Sequence, residues 1–244
     1  MSTISFDKHP FAEGGSRRAY KGCVVSGNYA GFEEGTQLVL KVIKSSAFRE
    51  GVRLTEAHLQ AQALTRQYAL AFNATVRPPS PVYVCVATLL AQSDSNAGSQ
   101  AMMLLEPFLD GEYEKFNSNS GWSSSGSGHI DDETGDRKDG SDNIPDCFSH
   151  WTWVHSHGKH LVCDLKGHRG RPAANGCYLF TDPVVLSQRA GQFGCTDLGQ
   201  RGIHDWFALH TCNELCHSAG IAKKRPKCCS YSGKPCLRQT TYTG

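Results

Sequence analysis

The chain has 244 residues, 39% of them hydrophobic, and a formal net charge of +2. A chain of this length builds one large domain or two small lobes, and such folds bury roughly three quarters of the surface exposed by the unfolded chain. The near-neutral balance gives no support to a nucleic-acid partner. No run of about 18 apolar residues offers a membrane span, and the opening MSTISFDKHPF lacks the apolar stretch of a secretory signal.

In chain order, AYKGCVVSGN and TQLVLKVIK predict two strands around a loop at Gly31 to Gly35. Ala61, Leu64, Tyr68 and Phe72 recur at spacings of three and four and predict a helix. PVYVCVATLLA and AMMLLEPF predict two buried strands parted by the polar turn QSDSNAGSQ. Composition changes at Asn117, where NSNSGWSSSGSGHIDDETGDRKDGSDN turns Ser/Gly-rich and then acidic; most of it reads as a flexible surface insertion, residues 118–143. HLVCDLKG predicts a strand ending in a charged turn, and CYLFTDPVV a short strand ending at Thr-Asp-Pro. A helix around Ile203, Trp206, Phe207 and His210 is expected to carry the thiols that follow. The basic, cysteine-rich tail, residues 223–244, is expected to be loose. A strand-rich first half and a mixed second half imply an α+β fold in two lobes, with a cleft between them where small ligands bind.

Eleven cysteines is a high and odd count. Without a secretory signal, reduced thiols and a metal site are the better reading. Cys23, Cys85, Cys163 and Cys177 lie in or beside apolar runs and read as small core residues. His210, Cys212 and Cys216 stand at H-x-C-x-x-x-C spacing, a set of N and S donors that favours zinc. A closed structural site takes four ligands. Spacing leaves the fourth open among His150, His155, His157, His160, His168, His204 and the tail thiols Cys228, Cys229 and Cys236.

Lys41, in the apolar strand LVLKVIK, either faces solvent or reaches into a cleft toward a phosphate or carboxylate; Lys44 competes for that role. Gly14 and Gly15 followed by Arg17 and Arg18 can place backbone N–H groups and a guanidinium around a phosphate, or can simply turn the chain. Asp164 and Asp182 end short apolar strands. They are either turn and cap residues or one general base and one Mg²⁺ ligand.

Taken together and in this order, PFAEGGSRRAY, LVLK, LLEPFLDGEYEKFNSNSG, FSHWTW, VCDLKG, FTDP, FGCTDLGQRGI and HTCNELC resemble the motifs of the atypical alpha-kinase family, the type found in myosin heavy chain kinases, elongation-factor-2 kinase and kinases fused to TRP channels. The resemblance runs from Pro10 to about Ile221. It implies a two-lobed protein-kinase-like fold, with an N-lobe over residues 1–105 and a C-lobe with a structural zinc over 106–222. It implies a cytoplasmic protein serine/threonine kinase that moves the γ-phosphoryl group of ATP to a protein substrate, using Mg²⁺ or Mn²⁺, with no nucleic-acid or membrane partner. Position by position, Lys41 and Arg17 match phosphate-contacting residues, and Glu106, with Pro107 and Phe108 beside it, matches the hinge that meets adenine. Asp164 matches the catalytic aspartate, and Asp182 the magnesium ligand. His150, His210, Cys212 and Cys216 match the four zinc ligands.

Three positions depart from the family pattern. Lys166 replaces a glutamine that helps hold magnesium, and Asp197 stands where several relatives carry Asn. The helix partner of Lys41 falls on either Glu56 or His58. A pseudokinase scaffold of the same fold, and a hydrolase using the zinc, are the competing readings.

Overall fold

The computed structural model describes residues 2–93, 100–124, 143–170 and 176–227. The first half contains β1 (Thr3–Phe6), β2 (Ala12–Glu13), β3 (Arg17–Ser26), β4 (Gln37–Ile43), α1 (Ser45–Arg49), α2 (Glu56–Thr75), β5 (Val82–Val84), β6 (Thr88–Ser93) and β7 (Gln100–Pro107). Six of these strands form one sheet in the order β1-β3-β4-β7-β6, with β2 on β3. Residues opposite one another across strands share a face. The row Tyr20, Leu40, Leu105 therefore joins Val24, Leu38 and Leu90 in a buried apolar cluster. The alternate rows, Ala19–Lys41–Leu104 and Lys21–Val39–Glu106, face the opposite way. Arg17, two residues before Ala19, lies on that second face.

The second half contains β8 (Tyr113–Lys115), α3 (Ile144–His155), β9 (His160–Cys163), β10 (Lys166–Arg169), β11 (Tyr178–Thr181), β12 (Val184–Ser187), α4 (Gly199–Leu209) and α5 (Glu214–Ser218). A four-stranded sheet runs β5-β11-β10-β8, and β12 pairs with β9. Phe72 of α2 and Phe148 of α3 meet edge to face at 5.2 Å, and Phe116 meets Tyr178 at 5.3 Å. These rings fill the core between the helices and the second sheet.

Several predicted elements are redrawn. The run PVYVCVATLLA is two strands in different sheets: β5 pairs parallel with β11, while β6 pairs with β7. The Cys85 N–H then bonds the Phe180 carbonyl (2.9 Å). An apolar run reports burial, not the sheet that supplies it. The chain leaving β9 reverses at Asp164 and Leu165 and re-enters as β10, opposite Thr181 and Lys115. The thiols do not ride on the predicted helix: α4 stops at Leu209, Cys212 lies in the following loop and Cys216 on α5. Helix α3 is not among the predicted elements, although Ile144, Cys147, Phe148 and Trp151 recur at helical spacing; every residue from Ile144 to Thr152 is buried.

The stretch read as a flexible insertion begins with packed residues. Ser118 is buried, and its N–H bonds the Trp122 carbonyl (2.9 Å). The rest of it, 125–142, and the tail beyond 227 lie outside the described residues. A boundary between residues 105 and 106 falls inside β7. No described helix is long and apolar enough to cross a membrane.

Candidate active site

The second face of the six-stranded sheet and the turns of the four-stranded sheet enclose a cavity of about 400 Å³. Arg17, Lys41 and Glu106 line it from the first sheet; Lys166, Thr181 and Asp182 line it from the second. Pro107, Phe108 and Phe11 form its apolar end. Lys21 Nζ lies 4.4 Å from the Phe108 ring centre, and Phe11 meets that ring edge to face at 6.0 Å.

The charged groups are paired across the cavity. Lys41 Nζ is 2.5 Å from a Glu106 carboxylate oxygen, and Gln62 of α2 donates to the other (3.2 Å). Burial opposes the Lys41 ammonium, but Glu106 and Asp182 outweigh it and hold Lys41 well above the usual lysine range. The Arg17 guanidinium bridges both oxygens of Asp182 at 2.5 Å. Lys166 Nζ is 2.9 Å from Asp164 and 3.8 Å from Asp182. Lys115 reaches Asp164 at 3.0 Å. Burial works against the Asp182 carboxylate, yet Arg17, Lys41 and Lys166 pull it far below the ordinary range. Asp164 is lowered in the same way, against burial, by Lys166 and Lys115.

Both aspartates hold left-handed backbone, with φ of 53° at Asp164 and 48° at Asp182. Aspartate tolerates that region better than most residues, and such turns gather at functional sites. The Asp164 turn is tied to α3 through Asn117. Its Oδ1 accepts from the Leu165 N–H (3.0 Å), and its amide donates to Asp146 and Ser149 (3.1 Å each). Gly167 then permits the close approach of β11: a Cβ there would lie 2.1 Å from the Leu179 carbonyl, and its φ is +153°.

The partner of Lys41 is neither Glu56 nor His58. Glu56 is exposed, and the His58 ring accepts from the Thr55 N–H (3.2 Å) at the start of α2. The partner is Glu106, which lies diagonally across the β4–β7 pair on the same face as Lys41. Lys44 is excluded as well: with Arg18 it pairs with Glu13. At the hinge, the Phe108 N–H donates to the Gln37 carbonyl (2.9 Å), so Phe108 presents its ring to the cavity. Gln62, Lys115 and Asn117 were not singled out from the sequence. None sits in a local pattern, and each acts on a group that the fold brings from elsewhere.

Asp197 organises the loop between β12 and α4. Its carboxylate accepts from the Ser187 N–H (2.9 Å) and hydroxyl (2.7 Å), the Gly199 N–H (3.0 Å) and the Phe193 N–H (3.3 Å). Gly199 and Gly202 lie in the first turn of α4.

About the end of α4, one ligand atom from each of His150, His210, Cys212 and Cys216 lies within 4.8 Å of the other three. His150 Nδ1 is 3.2 Å from His210 Nε2 and 3.7 Å from Cys212 Sγ. The other His150 nitrogen donates to the Lys224 carbonyl (2.7 Å), which turns Nδ1 toward the cluster. A hydrogen bond with Cys147 is the main influence holding the Cys216 thiol down at about 3, against burial and with help from His150 and His210; burial lifts Cys212. Two imidazoles and two thiols at this spread fit a tetrahedral zinc. Of the other fourth-ligand candidates, His155 stacks on Trp151, His160 bonds the Tyr68 hydroxyl and His168 bonds the Glu112 carbonyl. His157 and His204 are outside the cluster, and Cys228, Cys229 and Cys236 lie outside the described residues.

The sequence profile of the Alpha-kinase family matches residues 12–216. The chain belongs to the alpha-kinase family. It is 31% identical over 222 residues to alpha-protein kinase vwkA of Dictyostelium discoideum, covering 90% of this chain and 31% of that protein. It is 29% identical over 184 residues to eukaryotic elongation factor 2 kinase of Rattus norvegicus, covering 75% of this chain and 21% of that one. The chain thus spans about a third or less of these curated relatives. The alpha-kinase domain of myosin heavy chain kinase A, solved in complex with AMP, superposes with a TM-score of 0.71 at 25% identity, over 90% of this chain and 91% of that one. The corresponding AMP-PNP complex gives 0.73 at 24%, over 90% and 87%. The fold described above is therefore an alpha-kinase α+β domain, with the paired charges in the cleft between its sheets.

Proposed function

We propose that the chain is an ATP-dependent protein serine/threonine kinase, moving the γ-phosphoryl group of ATP to a hydroxyl of a protein substrate. One observation carries the reading: a single cavity is apolar at the Phe108 end and, at the other, sets Arg17 and Lys41 opposite Asp182 and Lys166. That layout suits a ligand with a flat base at one end and polyphosphate at the other. The relatives named as protein kinases, and the AMP-PNP and AMP complexes of the same fold, support it.

Lys41 and Arg17 hold phosphate oxygens. Glu106 and Gln62 fix the lysine so that little freedom is lost when phosphate arrives. The buried Arg17 Nε has no hydrogen-bond partner among the described residues, leaving one donor for an anion. Asp182 would hold Mg²⁺ or Mn²⁺, an ion that would supply positive charge to the phosphoryl oxygens. Asp164, ionised at neutral pH, only accepts hydrogen bonds. It orients the acceptor hydroxyl and takes its proton late, a role suited to a loose transition state that needs positioning more than a strong base. Asn117 and Lys115 hold it there.

We assign zinc to His150, His210, Cys212 and Cys216. Four protein ligands leave no position for a reactive water, so the ion ties α3 to the chain after α4 and does not catalyse; a zinc hydrolase is disfavoured. None of the eight described cysteines is in a disulfide, which supports a reducing, cytoplasmic setting.

A pseudokinase is the second reading, favoured by the cations already pairing with Glu106, Asp164 and Asp182. Transfer of labelled γ-phosphate from ATP to a threonine-containing basic protein, compared with Asp164→Ala, decides between them. Transfer by the wild type that the variant lacks supports the kinase; equal, background labelling overturns it.

A further inference from the structure

We propose that Lys166 is a built-in cation of the cleft, contacting polyphosphate from between Asp164 and Asp182 and giving this chain nucleotide binding that does not depend on a divalent ion. The inference rests on the reading of the cavity as a nucleotide site.

Its ammonium is shared by the two carboxylates, at 2.9 and 3.8 Å, and the side chain lines the same cavity as Arg17 and Lys41. Its position is fixed by register: Lys166 opens β10, opposite Thr181 on one side and Lys115 on the other. The adjoining Gly167 can shift little, since its Cα faces the Leu179 carbonyl at a distance no Cβ would fit.

An ammonium carries three N–H donors and no acceptor. One donates to Asp164 (2.9 Å), Asp182 at 3.8 Å is an ion contact beyond hydrogen-bond distance, and the remaining donors serve phosphate oxygens. Charge points the same way. Each carboxylate meets two cations, Asp164 with Lys115 and Lys166, and Asp182 with Arg17 and Lys166. A second divalent ion placed between the aspartates would meet a fixed positive charge at contact distance, in a partly buried site where screening is weak. The lysine supplies that positive charge permanently, with no ion to capture.

Equilibrium binding of AMP-PNP tests this, with Mg²⁺ present or omitted and without chelator, so that the zinc ligands are not stripped. Wild type should lose less than about tenfold in affinity when Mg²⁺ is omitted. Lys166→Gln should weaken Mg²⁺-free binding by about tenfold or more, the worth of one charge-assisted hydrogen bond, and change Mg²⁺-supported binding less. Lys166→Arg should restore Mg²⁺-free binding. Equal dependence on Mg²⁺ in wild type and Lys166→Gln overturns the proposal. If Lys166→Gln does not fold, wild type decides: binding only with Mg²⁺ overturns it, and binding without Mg²⁺ that Lys166→Arg keeps supports it. If wild type binds no AMP-PNP even with Mg²⁺, the nucleotide reading of the cleft fails first, and this inference with it.

Discussion

Lys41 and Glu106 sit diagonally across β4 and β7, on one face of the sheet, with Lys41 Nζ 2.5 Å from the carboxylate. The glutamate is 1% exposed, and its other oxygen accepts from Gln62. One ion pair and one hydrogen bond thereby link β4, β7 and α2.

Removing the lysine should harm both fold and chemistry. Lys41→Met leaves a buried carboxylate with only an amide partner, at a cost of about 3 kcal/mol or more in denaturant melts. Phosphotransfer should fall by about 100-fold or more. Glu106→Gln leaves Lys41 with Asp182 as a nearby anion and should cost less stability than Lys41→Met.

The aspartates make the protein acid-sensitive in a defined direction. Asp182 and Asp164 both ionise below the ordinary carboxylate value of 3.8. Their stabilisation is therefore full above about pH 4 and is lost as pH falls below it. Melts between pH 2.5 and 6 should show stability rising with pH at the acid end, with a shallower slope in Asp182→Asn. An unchanged slope would show that Asp182 is not paired in solution.

Asp164→Ala should separate positioning from binding. Loss of the group that orients the hydroxyl should lower kcat by about 100-fold or more, with KM for ATP nearly unchanged. A rise in KM alone would assign Asp164 to nucleotide binding.

Metal analysis of the purified protein should find one zinc per chain, and Cys216→Ser should lower both zinc content and melting temperature. Stripping the zinc should unfold the region around α3 and α5 rather than leave a folded, inactive protein. Near-ultraviolet circular dichroism during chelation follows this directly.

Two loop positions carry predictions of their own. Asp197→Ala strands the donors of Ser187, Phe193 and Gly199, and should cost about 3 kcal/mol. Asp197→Asn keeps one acceptor oxygen and should cost about half as much. Gly167→Ala places a Cβ 2.1 Å from the Leu179 carbonyl at a φ of +153° and should prevent soluble expression.

Much of the site could be read from residue types in order. Lys41 in an apolar strand, Asp164 and Asp182 at strand ends, and H-x-C-x-x-x-C at the end of a helix each limit the chemistry available. The strands β3 and β4 follow from their β-branched runs, and the helix α2 from its apolar spacing of three and four. Burial on every side is less legible: the first nine residues of α3 are all buried, Asp146, Ser149 and His150 included, and the apolar run after α2 conceals a change of sheet at Cys85.

The sequence by itself determined which atoms are available: the cations, the carboxylates, and the nitrogen and sulfur donors. Tertiary structure alone decided who meets whom. It gave Lys41 a partner from a neighbouring strand and not from the helix, brought His150, which spacing leaves among nine candidates, to the other three donors, as the family resemblance implies, and set Lys166 between two aspartates 18 residues apart. Such pairings depend on strand register and crossing geometry, and these come from cooperative burial of surfaces far apart in the chain, which no local spacing encodes.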